Sequence, residues 1–161
     1  MRLFHGSTLA IEKPEIITAE QGRDFGSGFY TTDIKEQAAG WAKRKAKIKK
    51  DKTAKAIISV YEFDERNYNK LKVKHFFLPD AEWLDMICKC RANTNYTHGY
   101  DIVTGKIAND NVGETISFVV NGIMRREDAL ERLKFAKINN QICFNTQNAL
   151  SFLKYEGFEE V

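Results

Sequence analysis

Apolar positions in the chain switch repeatedly between a period of two and a period near 3.6, which predicts interleaved strands and helices. Leu3-Phe4 leads into His5-Gly6-Ser7 as a short strand ending at a turn does. Residues 8–22 carry no period, and Pro14 limits any helix there. Gly22, Gly26 and Gly28 then mark a loop with unusual backbone angles. Phe29 to Thr32 have strand propensity. Asp33, with Glu36 three residues on, has the form of a capping box, and predicts a helix over 34–49 with Ala38, Trp41 and Ala42 on its apolar face.

The clearest strand is 56–63, Ala-Ile-Ile-Ser-Val-Tyr-Glu-Phe, with another over 71–77. A helix over 80–90 places Trp83, Leu84 and Ile87 on one side. A strand at 100–105 and helices at 112–121 and 126–136 follow. Next come a strand at 140–145, a short helix capped by Thr146 and running through Leu153, and an edge strand at 155–161. No regular βαβ spacing and no internal repeat emerges. The order predicts a single α+β domain over residues 1–161 rather than a doubly wound sheet.

Composition narrows the class. No apolar run is long enough to span a bilayer, and the N-terminal apolar stretch is too short for a secretory signal, so a cytoplasmic protein with no membrane partner is expected. Cys88, Cys90 and Cys143 are odd in number and suggest no disulfide framework. With His75 or His98 they make no familiar metal spacing, so no metal site is expected. The net charge of +3 is mild, but 43–55 is strongly basic and the C-terminal tail is acidic. The basic run reads as a solvated helix end or as a nucleic-acid contact.

Three segments carry candidate chemistry. His5 at a strand end can donate to a ribose hydroxyl or a phosphate, and Gly6 lets a ligand approach bare backbone. Arg23 can pair with phosphate, and Tyr30 offers a flat face to an aromatic ligand. Alternation turns Phe29 and Tyr30 to opposite faces, so Phe29 can be core while Tyr30 lines a cleft. In Asn140-Gln141-Ile142-Cys143-Phe144, alternation sends Ile142 and Phe144 to the core and Gln141 to the other side. Gln141 there either reaches a ligand or faces solvent.

Taken in order, these pieces resemble the diphtheria-toxin and poly-ADP-ribose-polymerase branch of the ADP-ribosyltransferases. The resemblance rests on Leu3-Phe4-His5-Gly6-Ser7, on Asp24-Phe25-Gly26-x-Gly28-Phe29-Tyr30-Thr31-Thr32, and on the following helix with Ala38 and Trp41-Ala42. Tyr100-Asp101-Ile102-Val103-x-Gly105 and the 140–144 strand extend it nearly end to end. The chain is most similar to small single-domain bacterial members. The resemblance implies an ADP-ribosyltransferase-like split β-sheet core with flanking helices, and NAD as substrate. It puts His5 on the adenine-side ribose, the Gly6 backbone on the nicotinamide amide and Tyr30 against the nicotinamide ring. Ser7, Arg23 and Thr32 become accessory cofactor contacts.

The third member of the family's His-Tyr-Glu triad falls on Gln141, where this chain departs from the pattern. Glutamine can accept a hydrogen bond from a ribose hydroxyl but cannot act as a general base. Either the acceptor is already nucleophilic, or a carboxylate among Asp24, Asp101 and Asp110 supplies the base. The expected activity is transfer of one ADP-ribose to a protein or nucleic-acid acceptor. The resemblance further implies a toxin or defence role with a neutralising antitoxin-type partner. The competing expectation is a domain that binds NAD, another nucleotide or nucleic acid with little or no turnover.

Overall fold

A computed structural model describes residues 1–18, 22–49, 53–107, 110–133 and 139–161, apart from the side chains of 106, 107, 110, 111 and 139. The elements run β1 (Arg2–Ser7), β2 (Phe29–Thr31), α1 (Lys35–Ile48), β3 (Ile57–Phe63), a 3-10 helix (Glu65–Lys70) and β4 (Val73–His75). They continue through α2 (Ala81–Ala92), β5 (Ile102–Ile107), α3 (Asp110–Val120), α4 (Arg126–Leu133), β6 (Asn139–Phe144), α5 (Gln147–Leu150) and β7 (Leu153–Glu160). The fold is α+β, and its interleaved order follows the periodicity of the sequence. Residues 134–136 of the expected fourth helix lie outside the described residues, as do 19–21 and 50–52.

The strands form two sheets, ordered β1-β3-β7 and β2-β6-β5-β4. All pairs are antiparallel except β4 with β5. The sheets are stitched by a bridge between Phe4 and Thr32, whose main chains exchange hydrogen bonds of 2.8 and 3.0 Å. Their inner faces bury Leu3, Tyr61 and Phe63 against Phe29, Ile102, Ile142 and Phe144. The outer face of the first sheet packs Phe4, Ile58 and Val60 on Ala38 of α1. The outer face of the second packs Val103 and Cys143 under Trp83, Ile87 and Ile116 from α2 and α3. Covering the central strands on both faces is what lets a short chain close its core, while edge strand β7 buries no residue fully.

Helix ends follow local chemistry, with one exception. Asp80 Oδ1 accepts from Trp83 N at 2.9 Å, and Thr146 Oγ1 accepts from Ala149 N, so α2 and α5 start where the sequence predicts. The Asp33–Glu36 capping box does not form. Ile34 is the N-cap of α1 and offers no side-chain acceptor. Thr32 Oγ1 takes the Ile34 N–H at 3.1 Å, and Asp33 instead accepts from Asn140. The bridge at Thr32 fixes the chain one residue earlier than the local signal, and tertiary pairing overrides the cap. Of the three glycines in the 22–28 loop, Gly26 alone takes a positive φ, 71°. In α2 the apolar side widens to Met86, Cys88 and Cys90, because the helix is covered by α3 and α4 as well as by the sheet.

Candidate functional site

Beyond the Phe4–Thr32 bridge the two sheets part, and His5 takes over from the main chain. Its Nδ1 lies 2.7 Å from the Tyr30 carbonyl oxygen. A carbonyl only accepts, so Nδ1 carries the proton and Nε2 is left as an acceptor. The ring stacks on Phe29 at 4.4 Å between centroids. Burial, reinforced by the nearby Lys45 cation, lowers the His5 pKa from 6.5 to about 4, against the pull of the carbonyl. At neutral pH His5 is therefore an uncharged hydrogen-bond acceptor, not the donor that sequence reasoning expects.

Tyr30 and Gln141 share one sheet face. Tyr30 pairs with Cys143 across β2 and β6, and Gln141 lies two residues along from Cys143, a diagonal neighbour. Phe29, on the other face, is buried in the core, as alternation predicts. The Tyr30 hydroxyl donates to Gly26 O at 2.6 Å and accepts from Phe25 N at 3.0 Å, which fixes the ring's tilt. Burial raises the Tyr30 pKa far above its usual range, so the phenol stays protonated. The Arg23 guanidinium sits 5.5 Å from the Tyr30 ring centroid, a cation over an aromatic face.

Gln141 is only 3% exposed, which rules out the solvent-facing alternative. Its Nε2 donates to Asp24 Oδ2 at 3.2 Å. Arg91 Nε and Nη2 both reach Asp24 Oδ1, at 2.8 and 2.5 Å. Asp24, 8% exposed, is thus a buried carboxylate between an amide and a guanidinium.

His5, Arg23, Tyr30 and Gln141 converge on one cavity of about 350 Å³, whose wall also includes Asp24, Trp41, Lys45 and Arg91. Ser7, Gly6 and Thr32 are not part of that wall. Thr32 is fully buried at the start of α1. Gly6 turns its bare face to α1, where a Cβ would overlap the Ala38 carbonyl oxygen, and its own carbonyl accepts from Lys45 Nζ at 2.8 Å. Its lack of a side chain therefore serves helix docking first. Among the carboxylates considered from sequence, Asp24 alone is placed at the cavity. Asp101 is tied to Lys72 N and to the Thr146 hydroxyl, and the Asp110 side chain lies outside the described residues.

Sequence reasoning misses Trp41, Lys45 and Arg91 as cavity residues. Trp41 and Lys45 are four apart on α1 and share a face, a signal open to inspection. Nothing local marks Arg91, which arrives through the docking of α2. A larger cavity, about 460 Å³, is lined by Tyr96, His98, Tyr100, Asn145 and neighbouring hydroxyl residues. Among the described residues its lining carries no charged side chain, whereas the smaller cavity carries Arg23, Asp24, Lys45 and Arg91. No described helix is long and apolar enough to cross a membrane. Among curated proteins none matches the chain. Residues 1–155 match a family model described as Protein of unknown function (DUF3990), and the chain belongs to that family.

Proposed function

We propose that this protein is an NAD-dependent mono-ADP-ribosyltransferase of a macromolecular target, built on the split-sheet core of that fold. The observation that supports this best is the convergence of His5, Tyr30 and Gln141, from three different strands, on one cavity that also presents Arg23 and Lys45. An aromatic face, two cations and two neutral acceptors suit a ligand with a cationic ring, a diphosphate and ribose hydroxyls. The Arg23 guanidinium, 5.5 Å from the Tyr30 ring centroid, supports a face suited to a planar cation.

In this reading the nicotinamide ring takes Arg23's place on Tyr30, and Arg23 swings to the diphosphate. His5 Nε2 accepts from the adenine-side ribose. The bond from ribose C1′ to the nicotinamide nitrogen breaks with its electron pair going to nicotinamide, an acceptor nucleophile bonds to C1′, and the acceptor's proton leaves to solvent. Gln141 Oε1 accepts from a ribose hydroxyl as positive charge grows on the sugar. Position and orientation do most of the work. An amide in place of a carboxylate favours a single transfer over chain growth.

Adenylate-labelled NAD incubated with wild-type protein and cell extract tests the reading. Label fixed to macromolecule by wild type, and lost in both Tyr30→Ala and Gln141→Ala, is the expected result. Protease and nuclease digestion then identify the acceptor. The neutral amide of Gln141 favours a second reading, a domain that holds NAD without turning it over. Calorimetric NAD binding that Tyr30→Ala abolishes, with no label fixed by wild type, would establish that reading instead.

A further inference from the structure

Gln141 has a plain problem as a site residue. An amide presents either an acceptor or a donor to a ligand, and the two faces differ by a flip of the side chain. A ribose hydroxyl that must be held as a donor needs the oxygen. Something in the protein has to choose, and in this fold the neighbour of Gln141 is Asp24. A carboxylate accepts only, so Nε2 of Gln141 must point to Asp24 Oδ2, 3.2 Å away. That contact is largely buried, with Gln141 at 3% and Asp24 at 8% exposure.

We infer that Asp24 is a positioning residue for Gln141, locking its amide so that Oε1 faces the cavity as a polarised acceptor, with Arg91 holding the carboxylate in place. This deepens the proposed function and rests on it for the identity of the ligand. The Gln141 side-chain nitrogen is engaged by Asp24, and Gln141 lines the cavity. Arg91 binds Asp24 Oδ1 through two nitrogens and so leaves Oδ2 directed at the amide. Hydrogen bonding from the amide N–H to a carboxylate draws electron density toward the amide oxygen. The negative charge that a glutamate at position 141 would carry directly is held one residue further back, on Asp24.

The arrangement makes a reciprocal prediction. In Asp24→Asn, Arg91 still needs an acceptor and takes the new amide oxygen. The new amide nitrogen then faces Gln141, whose side chain flips and shows its own nitrogen to the ligand. In Gln141→Glu, two carboxylates meet in a buried site and repel, so the proton affinity of the pair rises. In the double variant D24N/Q141E the donor and acceptor are exchanged, and an oxygen faces the ligand again.

NAD binding to the full chain is measured by calorimetry at pH 7.5 for wild type, both single variants and the double. Asp24→Asn is expected to weaken binding at least tenfold, Gln141→Glu to weaken it less, and the double to return within about threefold of wild type. Losses that simply multiply in the double would overturn the inference. The orientation is also read without ligand or substitution, from the side-chain amide resonances of Gln141 in nitrogen-15-labelled wild type. Slow amide-proton exchange is expected, and exchange as fast as that of exposed glutamines would overturn the inference. Protected Gln141 resonances in a wild type that binds no NAD would leave the positioning role standing and overturn the assignment of NAD.

Discussion

The single residue that most shapes the site is His5, whose uncharged state is a consequence of burial. Its ordinary pKa of 6.5 falls to about 4 in the fold, with burial the main cause and Lys45 adding to it. Between those values the unfolded chain takes up a proton that the folded chain refuses, so stability is greatest above pH 6.5 and declines as pH falls toward 4. The decline attributable to His5 is on the order of 3 kcal/mol. His98 is shifted the same way by burial, so wild type and His5→Gln should be compared by denaturant titration at pH 7 and pH 4.5. His5→Gln should lose clearly less stability over that interval, and equal losses would remove the buried neutral histidine from the account. Tyr30 separates a ring from a hydroxyl. Tyr30→Phe leaves the Phe25 N–H and the Gly26 carbonyl without their partner and should cost about 1–3 kcal/mol of stability. It keeps the stacking face, so NAD affinity should stay within about threefold, whereas Tyr30→Ala should lose most of about 1–3 kcal/mol of stacking.

At the scale of elements, the strands and helices were legible wherever one face is buried, because burial imposes the period. Phe29 inward and Tyr30 outward, or Ile142 and Phe144 inward and Gln141 outward, follow from alternation alone. What was not legible is set by contacts distant in sequence. The 3-10 helix Glu65–Lys70 buries no residue and so leaves no period to read. The capping box at Asp33 has the right spelling, yet the Phe4–Thr32 bridge decides where α1 starts. Gly6 is the sharpest case, since a glycine beside a candidate site residue suggests ligand approach while the fold uses it to seat α1. Gly6→Ala should therefore destabilise the protein without ligand present, by about 1–3 kcal/mol of overpacking, because the obstructing atoms are backbone atoms of Ala38 and Ala42. Gly40, exposed on the same helix with open space around it, gives the contrast. Gly40→Ala should stabilise by about 0.5–1 kcal/mol. Thermal denaturation of the two variants measures both signs, and a neutral Gly6→Ala would mean that α1 can shift freely against β1.

For the molecule as a whole, the cleft is where the two sheets separate, and its charge belongs to no single element. Arg23 comes from the loop before β2, Lys45 from α1 and Arg91 from α2, and all three reach one cavity wall. Arg91 is matched by Asp24, which leaves Arg23 and Lys45 as the cations for an anionic ligand. Sequence shows the basic run of 43–55 but not that Lys45, though solvent-exposed like Lys43, Lys47 and Lys49, reaches the Gly6 carbonyl and the cavity wall. A diphosphate held by two partly solvated cations should bind in a salt-dependent way, since screening at about 0.5 M ionic strength removes much of an exposed attraction. NAD affinity should fall several-fold between 50 and 500 mM salt on that basis. Arg23→Ala and Lys45→Met should each weaken binding by about 1 kcal/mol, roughly fivefold, and each should flatten the salt dependence. Affinity that ignores salt and both substitutions would place the diphosphate elsewhere and leave the cavity a site for an uncharged ligand.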